Sequence, residues 1–176
     1  MWKQRSLKKM KSNIFLGLGS NVGNRLKYLR KAVRLIHESI DCKVIKTSSV
    51  YESKPYNNYA YDNYYNAVIL ISSTLPEDEL LMFSQFVERF VGRRYSKEKW
   101  APREIDVDIL FYNQLIYNYD DLVIPHPELL KRDFVLVPLI EIAPDFTHPV
   151  IKKELKQIDL SKVEKNIIEK FDFSLL

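Results

Sequence analysis

Between residues 13 and 112 the spacing of apolar residues switches repeatedly between strand and helix periods, and the order of those switches leaves few folds open. Residues 13–19, with Ile14, Phe15 and Leu16, form a short apolar run that predicts a buried first strand. Leu26, Leu29, Val33 and Ile36 then recur at helical spacing, predicting a helix over 24–38. Residues 43–52 (Val44, Thr47, Val50, Tyr51) and 64–73 (Val68 to Ile71) read as two further strands. Thr74-x-x-Glu77 has the form of a capping box with Pro76 in the first turn. Leu80, Phe83, Val87 and Phe90 give the helix it opens an apolar face, and Gly92 ends it. Over 103–112, Ile105, Val107 and Ile109 alternate with Glu104, Asp106 and Asp108. Strand–helix–strand–strand–helix–strand is the order of a ferredoxin-like α+β sandwich with an antiparallel sheet.

A chain of 176 residues suits one domain, expected here over 13–150. Five prolines fall within 125–149, which reads as loops with short elements. Residues 151–176 form a C-terminal extension, charged and weakly helical in period over 151–170, that packs on the domain or trails it. Residues 1–12 form a basic tail containing Lys3, Arg5, Lys8, Lys9 and Lys11 and no acids; Met10 within it is an alternative start. Without those five cations the chain has 22 basic and 23 acidic residues. The sequence pI of about 9.0 therefore belongs to the tail and is weak evidence for a nucleic-acid partner; none is expected.

Cys42 is the only cysteine, which excludes an intramolecular disulfide and suits a reducing cytoplasm. The apolar run 14–18 is too short for a signal peptide and leads into no small-x-small cleavage pattern. No stretch approaches the ~20 apolar residues of a membrane span.

Asp106 and Asp108 stand two apart on a strand, so both carboxylates leave the same face and can share hard divalent cations. An isolated D-x-D pair is more often simply a solvated strand face. The segment before it, from Gly92 to Arg103, carries five cations in twelve residues. A polyphosphate donor needs both metal ions and Arg/Lys clamps. The same loop also reads as a solvated charged connection, and the residues alone leave that choice open.

Gly17, Gly19 and Gly23 follow G-x-G-x-x-x-G, which fails the dinucleotide fingerprint, and there is no Walker A motif. A tight turn, or backbone approaching a ligand or neighbouring strand, is the reading that survives. Tyrosines cluster at 51–65 and 112–119, where they stack on a flat heterocycle or simply cover apolar surface. His126 lies between two prolines, while His37 and His148 stand in no catalytic pattern.

Four segments together carry a resemblance: GLGSNVGN at 17–24, YYNA at 64–67, RxxDxDIL at 103–110 and PHPELLKRDFVLVPLIEIAP at 125–144. In this order and separation the chain resembles the 6-hydroxymethyl-7,8-dihydropterin pyrophosphokinases over residues 13–149. The resemblance implies an α+β fold, two Mg²⁺ ions, and ATP binding before the pterin. It also implies transfer of the β,γ-diphosphate of ATP to the hydroxymethyl oxygen, with release of AMP, in folate synthesis.

The resemblance further matches Asp106 and Asp108 to the metal pair, and Arg93 and Arg103 to the arginines of a catalytic loop that Trp100 helps to close. Tyr64 and Phe134 match the aromatic pair that sandwiches the pterin, and Asn66 the amide reading its edge. Ser53, Pro55 and Tyr56 fall in the pterin-side loop, with Trp100 also on the pterin. Gln85 and Glu88, at i and i+3 on the polar face of the second helix, match nucleotide-side residues, and His126 and Arg132 the phosphate contacts. The chain departs from the family pattern at Tyr95, at Ala101, and in Ser53-Lys54-Pro55-Tyr56.

Two other readings remain. A ferredoxin-like RNA-binding module would need a basic-glycine-aromatic core motif that is absent. A related Mg²⁺-dependent phosphoryl transferase with another acceptor would share the acidic pair and arginines but need not keep Tyr64, Asn66 and Phe134. With no room for a fused folate enzyme, the chain is expected to act alone as a monomer, with no membrane partner.

Overall fold

A computed structural model describes residues 11–55, 62–94, 101–119 and 121–176. Strand β1 (Ser12–Ser20) is central and leads into helix α1 (Arg25–Glu38). The Asn24 side chain caps that helix by accepting from the Lys27 N–H at 3.0 Å. The strand expected over 43–52 is two strands, β2 (Cys42–Thr47) and β3 (Val50–Ser53), both paired with β4 (Tyr64–Ser73). The break falls at Ser48, whose N–H donates to the Val68 carbonyl while its Oγ accepts from the Val68 N–H, each at 2.9 Å.

Helix α2 (Glu77–Val91) follows and ends at Gly92, with φ of 130°. The capping box does not form. Pro76 is the N-cap and offers no side-chain bond, whereas the Thr74 hydroxyl donates to Asp41 at 3.0 Å. A tertiary partner has taken the group that local pattern assigned to the helix. Glu77, Asp78 and Glu79 still place negative charge at the helix N-terminus, where the macrodipole favours it.

Strand β5 (Asp106–Tyr112) completes an antiparallel sheet of order β5-β1-β4-β3, the ferredoxin-like arrangement. On one face Leu29, Val33 and Ile36 of α1 and Leu80 and Val87 of α2 pack against Ile14, Leu16 and Ile69. Each such burial is worth roughly 1.5–3 kcal/mol. Strands β6 (Tyr117–Tyr119) and β7 (Leu122–Ile124) form a separate hairpin.

The proline-rich segment departs from expectation. It contains helix α3 (Asp133–Ile142), with Pro138 inside it, which covers the other sheet face through Leu136, Leu139 and Ile142 against Phe15, Val68 and Phe111. Mean hydropathy high on all sides of α3 obscures helical period in sequence, as expected for a largely buried helix. The extension beyond it is not helical in the α sense. It makes two 3₁₀ turns (Leu155–Gln157 and Leu160–Lys162) and an edge strand β8 (Ile167–Phe171) on β3. Among the described residues no helix is long and apolar enough to cross a membrane.

Candidate active site

The strand period decides where β5 sends its side chains. Val107 and Ile109 enter the core beneath α1 and α2, so Asp106, Asp108 and Leu110 point to the opposite face. On β1 the residues in register with the two carboxylates are Gly19 and Gly17. On β4, next in the sheet, Asn66 and Val68 pair with those same glycines. Three neighbouring strands thus present acids, no side chain, and an amide in one row.

That row is the floor of a cavity of about 340 Å³. A Cβ built on Gly17 would lie 3.3 Å from Leu110 Cδ2, and one on Gly19 would lie 3.4 Å from Asn66 Oδ1. Neither glycine has the positive φ that distinguishes Gly23, at 56°. They make room rather than a turn.

One wall comes from Ser53, Lys54 and Pro55 at the end of β3, with Tyr64 at the start of β4. A second wall comes from His126, Glu128 and Arg132, which lead into α3, and from Phe134 in its first turn. Asn66 is buried, and its amide donates to Ser53 Oγ at 2.9 Å.

Arg103 donates to both carboxylate oxygens of Asp106, at 3.0 and 3.3 Å, and Arg93 pairs with Asp106 at 2.9 Å. Arg93 also reaches Glu88 at 2.5 Å, and Glu88 in turn accepts from the Val107 N–H at 2.8 Å. Burial outweighs those partners and raises the Glu88 carboxyl above the usual range.

Asp108 lines the cavity and is exposed to it. Its carboxyl is pushed up to about 7, by desolvation first and then by the charges of Asp106 and Glu88, against the pull of Arg132 and Arg93. His126 is pushed down to about 4, by burial first and then by Arg132. Arg103 is lowered by burial, but Asp106 more than compensates and its net shift is upward.

This donor set suits the divalent cation implied by the sequence. Among the described residues there is no group of three His, Cys, Asp or Glu side chains able to hold a metal. Mg²⁺ characteristically takes one or two carboxylates and fills its remaining positions with water and phosphate oxygens. A carboxylate pair on the floor of an open cavity fits that habit.

Ser53, Pro55, Tyr64, Asn66, Arg103 and Asp106 therefore meet in one cavity with Asp108, His126, Arg132 and Phe134. Arg93 joins through Asp106. Gln85 does not: it is exposed on α2 and does not line the cavity. Nor does Glu88 share a polar face with it, because Glu88 is only 8% exposed and holds the β5 backbone. Their i, i+3 spacing spans the boundary between the surface and the buried face. Tyr56, Tyr95 and Trp100 lie outside the described residues.

Three contributors were given no role of their own from sequence. Lys54 and Glu128 line the cavity, and Asn21 holds Arg103. Glu128 and Asn21 fall inside quoted motifs, but nothing local distinguishes them from their neighbours.

The family model for 7,8-dihydro-6-hydroxymethylpterin-pyrophosphokinase (HPPK) matches residues 15–144. The chain belongs to this family. A 2-amino-4-hydroxy-6-hydroxymethyldihydropteridine pyrophosphokinase of Aquifex aeolicus is 42% identical over 146 residues, covering 83% of this chain and 89% of that protein. One from Bacillus subtilis is 38% identical over 133 residues, covering 76% and 79%. The folic acid synthesis protein fol1 of Pneumocystis carinii is 42% identical over 137 residues, which is 78% of this chain but 18% of that protein. A solved wild-type HPPK-DHPS of Plasmodium falciparum with pteroate superposes with a TM-score of 0.68 at 16% identity, over 85% of this chain and 42% of that one. That likeness speaks to the HPPK fold alone.

Proposed function

We infer that this chain transfers the β,γ-diphosphate of ATP to the hydroxymethyl group of 6-hydroxymethyl-7,8-dihydropterin, giving the pterin diphosphate and AMP for folate synthesis. The observation that carries the reading is the row Asp108–Gly17–Val68 beside Asp106–Gly19–Asn66. It sets the acidic pair and the amide on the floor of one cavity, which Tyr64 and Phe134 also line.

The hydroxymethyl oxygen attacks the β-phosphorus. The bond from that phosphorus to the α,β-bridging oxygen breaks, AMP leaves with that oxygen, and the hydroxyl proton passes to water. Such a displacement demands alignment and charge neutralisation above all. Two Mg²⁺ ions held by Asp106 and Asp108 would neutralise phosphate oxygens. Arg93 and Arg103, now on Asp106, are placed to turn toward the phosphates, with His126 and Arg132 on the same side. Tyr64 and Phe134 stack on the pterin, and Asn66 reads its edge, with Ser53 fixing the amide. By the family resemblance, Pro55, Tyr56 and Trp100 are further pterin contacts. The exposed Gln85 touches nucleotide only outside the cavity, and Glu88 acts through Arg93.

The lone, buried Cys42 fits a cytoplasmic protein, and we read it as a monomer without a nucleic-acid or membrane partner. Incubation with ATP, Mg²⁺ and the pterin tests the reaction. AMP release that depends on the pterin is expected. ADP as the nucleotide product, or AMP formation indifferent to the pterin, overturns the reading.

A further inference from the structure

The C-terminal segment leaves the second 3₁₀ turn and joins the two cavity walls before it ends. Glu164 forms a parallel backbone bridge with Arg132. Two residues on, the N–H groups of Asn166 and Ile167 both donate to one oxygen of Asp133, at 2.9 and 3.1 Å. The Asn166 carbonyl then accepts from the Lys54 N–H at 2.9 Å, and β8 continues along β3. Asp133 and Asn166 are 3% and 7% exposed, so these bonds are sheltered from water. Downstream, Phe171 and Phe173 stack at 5.0 Å beside Tyr65, Leu175 is buried, and the Ser174 carbonyl accepts from Arg30 of α1 at 2.8 Å. The strap is thus anchored at its far end as well.

Asp133 lies between Arg132 and Phe134, which line one wall, and Asn166 bonds Lys54, which lines the other. The carboxylate costs more than stability requires. Among the described residues, its second oxygen and the Asn166 Nδ2 are both buried without a hydrogen-bond partner. Burying such groups unpaired is unfavourable, and an apolar contact would join strap and helix at lower cost.

We propose that Asp133 is a positioning residue whose carboxylate clasps the C-terminal strap and so sets the separation between Phe134 and the Lys54–Pro55 wall that receives the acceptor. The proposal rests on the reading of the cavity given above. It assigns the extension a part in substrate recognition, through backbone groups that sequence pattern cannot single out.

The test compares Asp133→Ala, Asp133→Asn and Asn166→Ala. Asn166→Ala keeps the backbone N–H and carbonyl, so it leaves the clasp intact. In Asp133→Ala, which removes both bonds to the strap, the pterin KM is expected to rise about tenfold or more. The ATP KM should stay within about twofold, a split that general loss of stability does not produce. Asp133→Asn, which retains one acceptor oxygen, should recover part of the loss, and Asn166→Ala should match wild type. Amide exchange read without substrate should show the Lys54 N–H exchanging faster in Asp133→Ala. Both KM values moving together, or a lowered Tm with the pterin KM unchanged, overturns the proposal. Absence of AMP from the wild type overturns the reading of the site instead. Unchanged Lys54 exchange overturns the clasp whatever the activity.

Discussion

Asn21 and Arg103 grip each other by the backbone: the Arg103 N–H donates to Asn21 Oδ1 at 2.7 Å, and the Asn21 N–H donates to the Arg103 carbonyl at 3.1 Å. Asn21 is 1% exposed, so this bracket is rigid, and it pins the arginine that sits on Asp106. Asn21→Ala leaves the Arg103 N–H without its acceptor and is expected to cost about 1–3 kcal/mol of stability. Because a displaced guanidinium no longer meets the developing charge, kcat should fall about tenfold or more. Urea melts and steady-state AMP release measure the two effects separately.

Asp108 is held beside two other carboxylates, and its charge is therefore a burden without substrate. Asp108→Asn should raise stability in chelator by about 1 kcal/mol, a figure kept small because solvent reaches the group from the cavity. AMP release should nevertheless collapse by at least about a hundredfold, as it should in Asp106→Ala. A variant that is both less stable and fully active would contradict this account of the pair.

Gly19 leaves space on the cavity floor beside Asn66. In Gly19→Ala the new methyl meets Asn66 Oδ1 at 3.4 Å, on the cavity floor. Its backbone tolerates alanine, so the melting temperature should hardly change while the pterin KM rises about tenfold. In Gly17→Ala the contact is the flexible end of Leu110, and an effect of about 1 kcal/mol or less on stability is expected. Thermal melts beside a pterin titration distinguish the two positions.

His126 links stability to pH. Its folded pKa, about 4, lies below the ordinary value of 6.5, so between these values the unfolded chain binds the extra proton. The neutral ring's contribution is complete above pH 6.5 and is lost as pH falls toward 4. About 2 kcal/mol should disappear between pH 7 and 5. In His126→Gln that part of the pH dependence should be missing from denaturant melts at the two pH values.

Local pattern made some of this readable and hid the rest. Asp106 and Asp108 share a face because strand period is two, a property of the backbone that needs no partner. The glycines at 17 and 19 were visible as an unusual spacing, but their use depends on lying opposite those acids on an adjacent strand. Thr74 looked like a cap because its competitor, Asp41, is thirty-three residues away. Gln85 and Glu88 looked alike until the β5 backbone buried one of them.

By itself the sequence determined the strand–helix order as far as residue 112, apart from the break at Ser48, the shared face of the acidic pair and the four motifs of the family, all expressed over short stretches of chain. Tertiary structure alone decided that α3 covers the second sheet face, that residues 167–171 become a strand, and that Asp133 joins the two cavity walls. These outcomes depend on which open edge or buried donor is near in space. A β-strand edge such as that of β3 accepts any segment able to supply backbone partners. Weak helical period in a charged tail is therefore outweighed by the hydrogen bonds that only the folded sheet and the Asp133 carboxylate offer.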